Sequence, residues 1–97
     1  MKWDKLVYTG SSDKAKLVAQ AAAENLVPIL LECGGKSPVV VDETADAVYA
    51  AKKTLCGKMP NLGQTCLSAD YVLCHESKVD EYINTLRDYL KEGFNNG

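Results

Sequence analysis

The chain has 97 residues, enough for one modest domain or part of one; a chain of this size buries roughly 60 to 65% of its unfolded surface. Lys and Arg total 11 against 13 Asp and Glu, a net charge of −2 with no basic cluster, which argues against a phosphate-tracking face and against nucleic acid as a partner. No apolar run approaches a bilayer span, and "MKWDKLVYTG" lacks the apolar core of a signal peptide, so a soluble, cytoplasmic chain is expected.

Lys5 to Thr9, "KLVYT", predicts a short strand running into Gly10. "SSDKAKLVAQAAAEN" then predicts an Ala-rich helix, capped by Ser11 or Ser12, with Asp13 in its first turn. After a helix stop near Asn25 and Pro28, Val27 to Cys33 read as a second strand that completes a βαβ unit. Gly34 and Gly35 break that strand, and "PVVVD" at 38 to 42 predicts a third. A helix from about Thr44 to Lys58 is expected to place Val48, Ala51 and Leu55 on one face, and Pro60 and Gly63 mark a bent end or turn. "ADYVLCHES" reads as a fourth strand. The last helix carries Val79, Tyr82, Ile83, Leu86, Tyr89 and Leu90 at amphipathic spacing, with Ser77 as cap and Gly93 as stop. This alternation predicts an α/β fold with a mostly parallel sheet, helices packed on it and both edges open.

The four cysteines, Cys33, Cys56, Cys66 and Cys74, form no C-x-x-C pair, and His75 is the single histidine. Reduced thiols are therefore expected, with neither a zinc site nor a disulfide framework, and no metal ligands are assigned. Cys33 and Cys74 lie in apolar strand patterns and Cys56 lies in a helix, which assigns these three to packing. His75 is expected to be a surface residue at a strand end. Cys66 differs, because it follows "NLGQT", a glycine-containing turn where backbone N–H groups can favour a thiolate and stabilise an oxyanion.

Two further places can carry chemistry. Gly10 and Ser11 open a helix whose first N–H groups face an anion such as a pyrophosphate, although turning and capping alone would also use these residues. Glu32 ends a strand where open α/β sheets place ligands; it is either a general base or an ordinary strand-end charge, solvated or paired with Lys36.

The order and spacing of "YTGSS" at 8 to 12, "LLECGGKSP" at 30 to 38 and "GQTC" at 63 to 66 resemble the aldehyde dehydrogenase superfamily. "AAAENLVPILLECGGKSP" and "GKMPNLGQTCLSADYVLC" look most like its class 3, or fatty aldehyde, branch. The resemblance implies a fragment spanning the end of a Rossmann-like dinucleotide-binding domain and the start of an α/β catalytic domain, divided into residues 1–35 and 36–97. It implies Cys66 as the nucleophile, with its backbone N–H as an oxyanion donor. Glu32 is implied as the base that activates water, and Gly10 with Ser11 as the seat of an NAD or NADP pyrophosphate. The implied substrate is a small-molecule aldehyde, and a homo-oligomer is implied for a full-length enzyme; any membrane association would lie outside this segment.

Against the family pattern, Ala15 replaces a usual glycine and Cys33 a usual leucine or methionine. Cys56, Met59 and Pro60 stand where class 3 members have Trp, Tyr and Met. Family enzymes are several times longer, so the 97-residue chain by itself is expected to be inactive and to expose apolar faces and edges. Two other readings remain at this stage: a truncated product serving as an interaction module, and a small thiol protein using Cys66 in redox exchange.

Overall fold

The computed structural model describes residues 3–94, so the outermost ends of the two expected domains, residues 1–2 and 95–97, lie outside the described residues. The chain divides into two compact units, Met1–Gly34 and Gly35–Gly97.

In the first unit, β1 (Leu6–Thr9) and β2 (Ile29–Glu32) pair in parallel, joined by α1 (Ser12–Glu24). The register sets Leu6 opposite Ile29 and Thr9 opposite Glu32. Burial alternates along β1, with Leu6 and Tyr8 half-buried and Val7 and Thr9 exposed, because successive strand side chains point to opposite faces. Ala15 and Ala22, 3% and 2% exposed, are the buried residues of α1. The helix stops at Asn25, whose N–H donates to the Ala22 carbonyl at 3.2 Å. Leu26 follows with φ +52, a left-handed conformation costly for a leucine.

The second unit contains β3 (Ser37–Val41), α2 (Ala47–Lys58), a 3-10 turn (Pro60–Gly63), β4 (Ala69–Cys74), a second 3-10 turn (Glu76–Lys78) and α3 (Val79–Phe94). β3 and β4 pair in parallel, with a bulge between Ser37 and Pro38: Ser37 faces Ala69, but Pro38 faces Tyr71, which leaves Asp70 over. The described strands form two two-stranded sheets, β1 with β2 and β3 with β4, where the alternation alone predicts one mostly parallel sheet and the two domains implied by the resemblance predict strands of two sheets.

The core of this unit is Val41, Ala47, Ala51 and Tyr82, bordered by Val39, Val72, Cys74 and Leu86. Val48, Ala51 and Leu55 do share a face of α2, with Ala51 fully buried and the other two half-buried; Ala47 joins Ala51 as the second fully buried residue, and the helix begins at Ala47, later than the Thr44 predicted. Asp42 accepts from both the N–H (2.9 Å) and the hydroxyl (2.7 Å) of Thr44, which keeps that residue in the turn. These hydrogen bonds, the side-chain one foremost, hold the Asp42 carboxyl below its ordinary range. Asp46 then caps α2 by accepting from the Tyr49 N–H at 2.9 Å.

α3 packs on α2 through Tyr82, whose hydroxyl donates to Thr54 Oγ1 at 2.9 Å. Its predicted boundaries shift too. His75, not Ser77, stands at the cap of the 3-10 turn leading into α3, with its Nδ1 accepting from the Ser77 N–H at 3.4 Å. At the other end the helix runs through Gly93 to Phe94. Along the predicted apolar stripe only Tyr82 is fully buried, while Ile83, Tyr89 and Leu90 remain exposed. The sheet face opposite the helices is bare as well: Val40 is 71% exposed and Leu73 57%, the open apolar surface anticipated from the sequence.

Candidate functional site

In the first unit the parallel register brings the C-terminal ends of β1 and β2 together. Thr9 pairs with Glu32, and the Gly10 N–H donates to the Glu32 carbonyl oxygen at 3.1 Å. The glycine-serine turn and the carboxylate are thus adjacent through backbone pairing alone. Glu32 is exposed at the C-terminal end of β2. Gly10 has φ +157, a conformation that L side chains rarely adopt, and a Cβ there would also displace the tip of the Tyr8 side chain, which lies over the turn. Tyr8 folds across the turn and its hydroxyl donates to the Ser11 carbonyl at 3.3 Å.

Ser11 occupies the N-cap of α1 with extended backbone, but its hydroxyl makes no capping hydrogen bond. The turn therefore offers a side-chain hydroxyl, a close-approach glycine and the first N–H groups of a 13-residue helix to one small volume. That donor set fits a dinucleotide pyrophosphate.

In the second unit Cys66 is half-buried in the turn between the first 3-10 turn and β4. The approach to it is strained. Asn61, Leu62 and Gly63 have φ of +51, +55 and +76, and such a conformation suits glycine, is tolerated by asparagine and is costly for leucine. Two reciprocal side-chain bonds hold the bend, Asn61 Nδ2 to the Gln64 carbonyl at 3.0 Å and Gln64 Nε2 to the Asn61 carbonyl at 3.2 Å. The Ser68 N–H then closes onto the Thr65 carbonyl at 3.0 Å, around Cys66.

Ser68 itself is buried, and its hydroxyl oxygen has no hydrogen-bond partner among the described residues. Gly35 meets the same turn, because a Cβ there would overlap the Cys66 carbonyl oxygen. Close approach, not chain reversal, is the reason for this glycine; among the described residues only Gly10 and Gly63 are glycines with positive φ. Lys36 pairs with Asp70, Nζ to Oδ2 3.1 Å.

No disulfide joins the four cysteines. Cys74 borders the core and Cys33 is half-buried just past β2, but Cys56 is exposed on α2 and is not a packing residue. Among the described residues no group of three His, Cys, Asp or Glu side chains is arranged to hold a metal, and no helix is long and apolar enough to cross a membrane. Sequence reasoning missed Gly35 and Ser68 as neighbours of Cys66, and Asp70 as the partner of Lys36. "GGKSP" and "CLSAD" are both motif stretches, but their apposition is created by the β3–β4 pairing.

Two curated relatives and one solved structure place these features in context. The 4,4'-diaponeurosporen-aldehyde dehydrogenase of Staphylococcus aureus is 50% identical over 92 residues, covering 95% of this chain and 20% of that protein. Aldehyde dehydrogenase family 3 member A2 of Rattus norvegicus is 40% identical over 91 residues, covering 94% of this chain and 19% of that protein. The substrate-bound state of Staphylococcus aureus AldH superposes with a TM-score of 0.81 at 50% identity, covering 93% of this chain and 20% of that one. The chain thus spans about a fifth of the length of the curated relatives it matches. The aldehyde dehydrogenase family profile matches residues 1–94. With strand, turn and motif order all in agreement, this chain belongs to the aldehyde dehydrogenase family, and its resemblance is to the class 3 branch.

Proposed function

We propose that this chain is the part of an NAD(P)-dependent aldehyde dehydrogenase that carries its nucleophile and its base, with residues 1–35 ending the dinucleotide-binding domain and 36–97 beginning the catalytic domain. The observation that supports it most is the setting of Cys66, a half-buried thiol at the end of a strained, doubly tied turn. Strain of this kind persists where the surroundings over-determine a conformation, and it clusters at reactive positions.

In this reading the Cys66 thiolate attacks the aldehyde carbon and forms a carbon–sulfur bond, giving a thiohemiacetal. The dinucleotide, when bound, supplies the hydride acceptor that turns this adduct into a thioester. Gly10, Ser11 and the first N–H groups of α1 hold the pyrophosphate. The Glu32 carboxylate takes a proton from water as the water oxygen attacks the thioester carbonyl; the carbon–sulfur bond then breaks, regenerating the thiolate and releasing a carboxylic acid. The exposure of Glu32 suits contact with solvent water. Substrates are aldehydes of the class that the fatty aldehyde branch takes. The compartment is cytoplasmic and the assembled enzyme a homo-oligomer.

Kinetics of the native protein that carries this segment test the assignment. Cys66→Ala is expected to abolish aldehyde oxidation. Glu32→Gln is expected to preserve a first-turnover burst of NAD(P)H and to slow the steady state about 100-fold or more, the usual range for a general base. Undiminished turnover in either variant would overturn that residue's role. The 97-residue chain alone is expected to form no NAD(P)H, and turnover by it that disappears on Cys66→Ala would contradict the need for the rest of the enzyme.

A further inference from the structure

We propose that Gly35, braced by the Lys36–Asp70 ion pair, is a positioning residue for Cys66; this rests on the nucleophile role proposed above. All of the groups involved belong to the second unit. Gly35 lacks the positive φ that would make glycine obligatory for conformational reasons, so the demand at this position is one of space. A methyl group there would overlap the Cys66 carbonyl oxygen and sit 3.2 Å from the carbonyl carbon, and both are backbone atoms that cannot swing aside as a side chain does. At the preceding position the opposite holds, since a Cβ on Gly34 would meet nothing within 4 Å.

The peptide that carries the Cys66 carbonyl follows directly from the Cα that bears the thiol, so moving one re-aims the other. Its neighbourhood is tied twice more. Ser68 N–H closes on Thr65, and the bulge leaves Asp70 unpaired in the β3–β4 ladder, where its carboxylate bonds Lys36 at 3.1 Å. Bulges beside reactive residues commonly re-aim a side chain. An exposed ion pair contributes little to stability, so the effect of this one is expected in turnover rather than in folding.

The test uses the native protein with four variants: Gly35→Ala, Lys36→Met, Lys36→Arg and, as a control, Gly57→Ala, a helical position where a Cβ meets nothing within 4 Å. The readouts are kcat, aldehyde KM, dinucleotide affinity, melting temperature and the pH dependence of Cys66 alkylation by iodoacetamide. A nucleophile displaced by about 1 Å loses about 100-fold in rate, so Gly35→Ala is expected to lower kcat by about that factor while dinucleotide affinity stays at the parent value. Lys36→Met is expected to lower kcat severalfold and change the alkylation profile, with Lys36→Arg restoring both and Gly57→Ala matching the parent. Parent-like kcat in Gly35→Ala overturns the proposal, and so does a parallel loss of kcat, dinucleotide affinity and melting temperature, which would mark a merely structural glycine. If Gly35→Ala does not fold, Lys36→Met decides: parent-like turnover and alkylation overturn the proposal. Full activity in Cys66→Ala would instead break the nucleophile reading itself, a separate outcome.

Discussion

The two units hold their candidate residues by different means. In residues 1–34, Gly10, Ser11 and Glu32 stand at adjacent strand and helix ends, fixed by backbone register and by one bond from the Gly10 N–H to the Glu32 carbonyl. In residues 35–97, Cys66 depends on a left-handed Asn61–Gly63 bend, on side-chain ties across that bend, and on the backbone of Gly35 lying against its carbonyl. Backbone pairing is generic and tolerates many side chains, whereas close packing does not. The carboxylate should therefore keep its place through most neighbouring substitutions, and the thiol should not.

The cores differ in the same direction. Residues buried in the first unit are the alanines Ala15 and Ala22, whereas the second buries Val41 and Tyr82 as well as two alanines. Truncation should hurt the second unit most. Val41→Ala, at a side chain 1% exposed, is expected to cost about 2 to 3 kcal/mol through lost burial and the cavity left behind. Enlargement should hurt the first unit: Ala22→Leu is expected to cost about 1 to 3 kcal/mol by overpacking α1 against the sheet. Native-state hydrogen exchange on β3 and β4 for the former, and on β1 and β2 for the latter, checks each. Loss of protection spreading equally over all four strands would break the contrast.

Smaller effects sharpen it. Removing the α2 cap with Asp46→Ala is expected to cost about 1 kcal/mol, read as a lower urea midpoint, because the Tyr49 N–H loses its acceptor. The smallest effect is tied to pH. Thr44 holds the Asp42 carboxyl below its ordinary value of 3.8, so the ionised form is favoured in the folded state. The resulting stabilisation is fully present above that ordinary value and is lost as pH falls through the lowered one. Thr44→Val should therefore lower the urea midpoint at neutral pH, with the difference from the parent shrinking as pH falls below 3.8 and through the lowered value. A difference that does not change with pH would show that the carboxylate is not the group responsible.

What could be read from the sequence was whatever contiguous residues encode. The strand-turn-helix order, the helix stop near Asn25, the turn at Pro60 to Gly63 and the three ordered motifs all follow from local propensity, capping chemistry and short-range spacing. Local signals were enough for the α/β pattern and the family, but they misplaced details that depend on competition. The start of α2 moved because Asp42 claims Thr44, and the entry to α3 moved because His75 accepts from Ser77. Cys56 looked like a packing residue on a helix and is exposed, because Ala47 and Ala51 supply the buried face.

Only the tertiary structure decided the rest. The bulge that leaves Asp70 over in the β3–β4 ladder, the ion pair of Lys36 with Asp70 and the seat of Gly35 against Cys66 all join residues far apart in the chain. A motif states which residue types are present, whereas strand register and the space left by a missing side chain decide which of them meet.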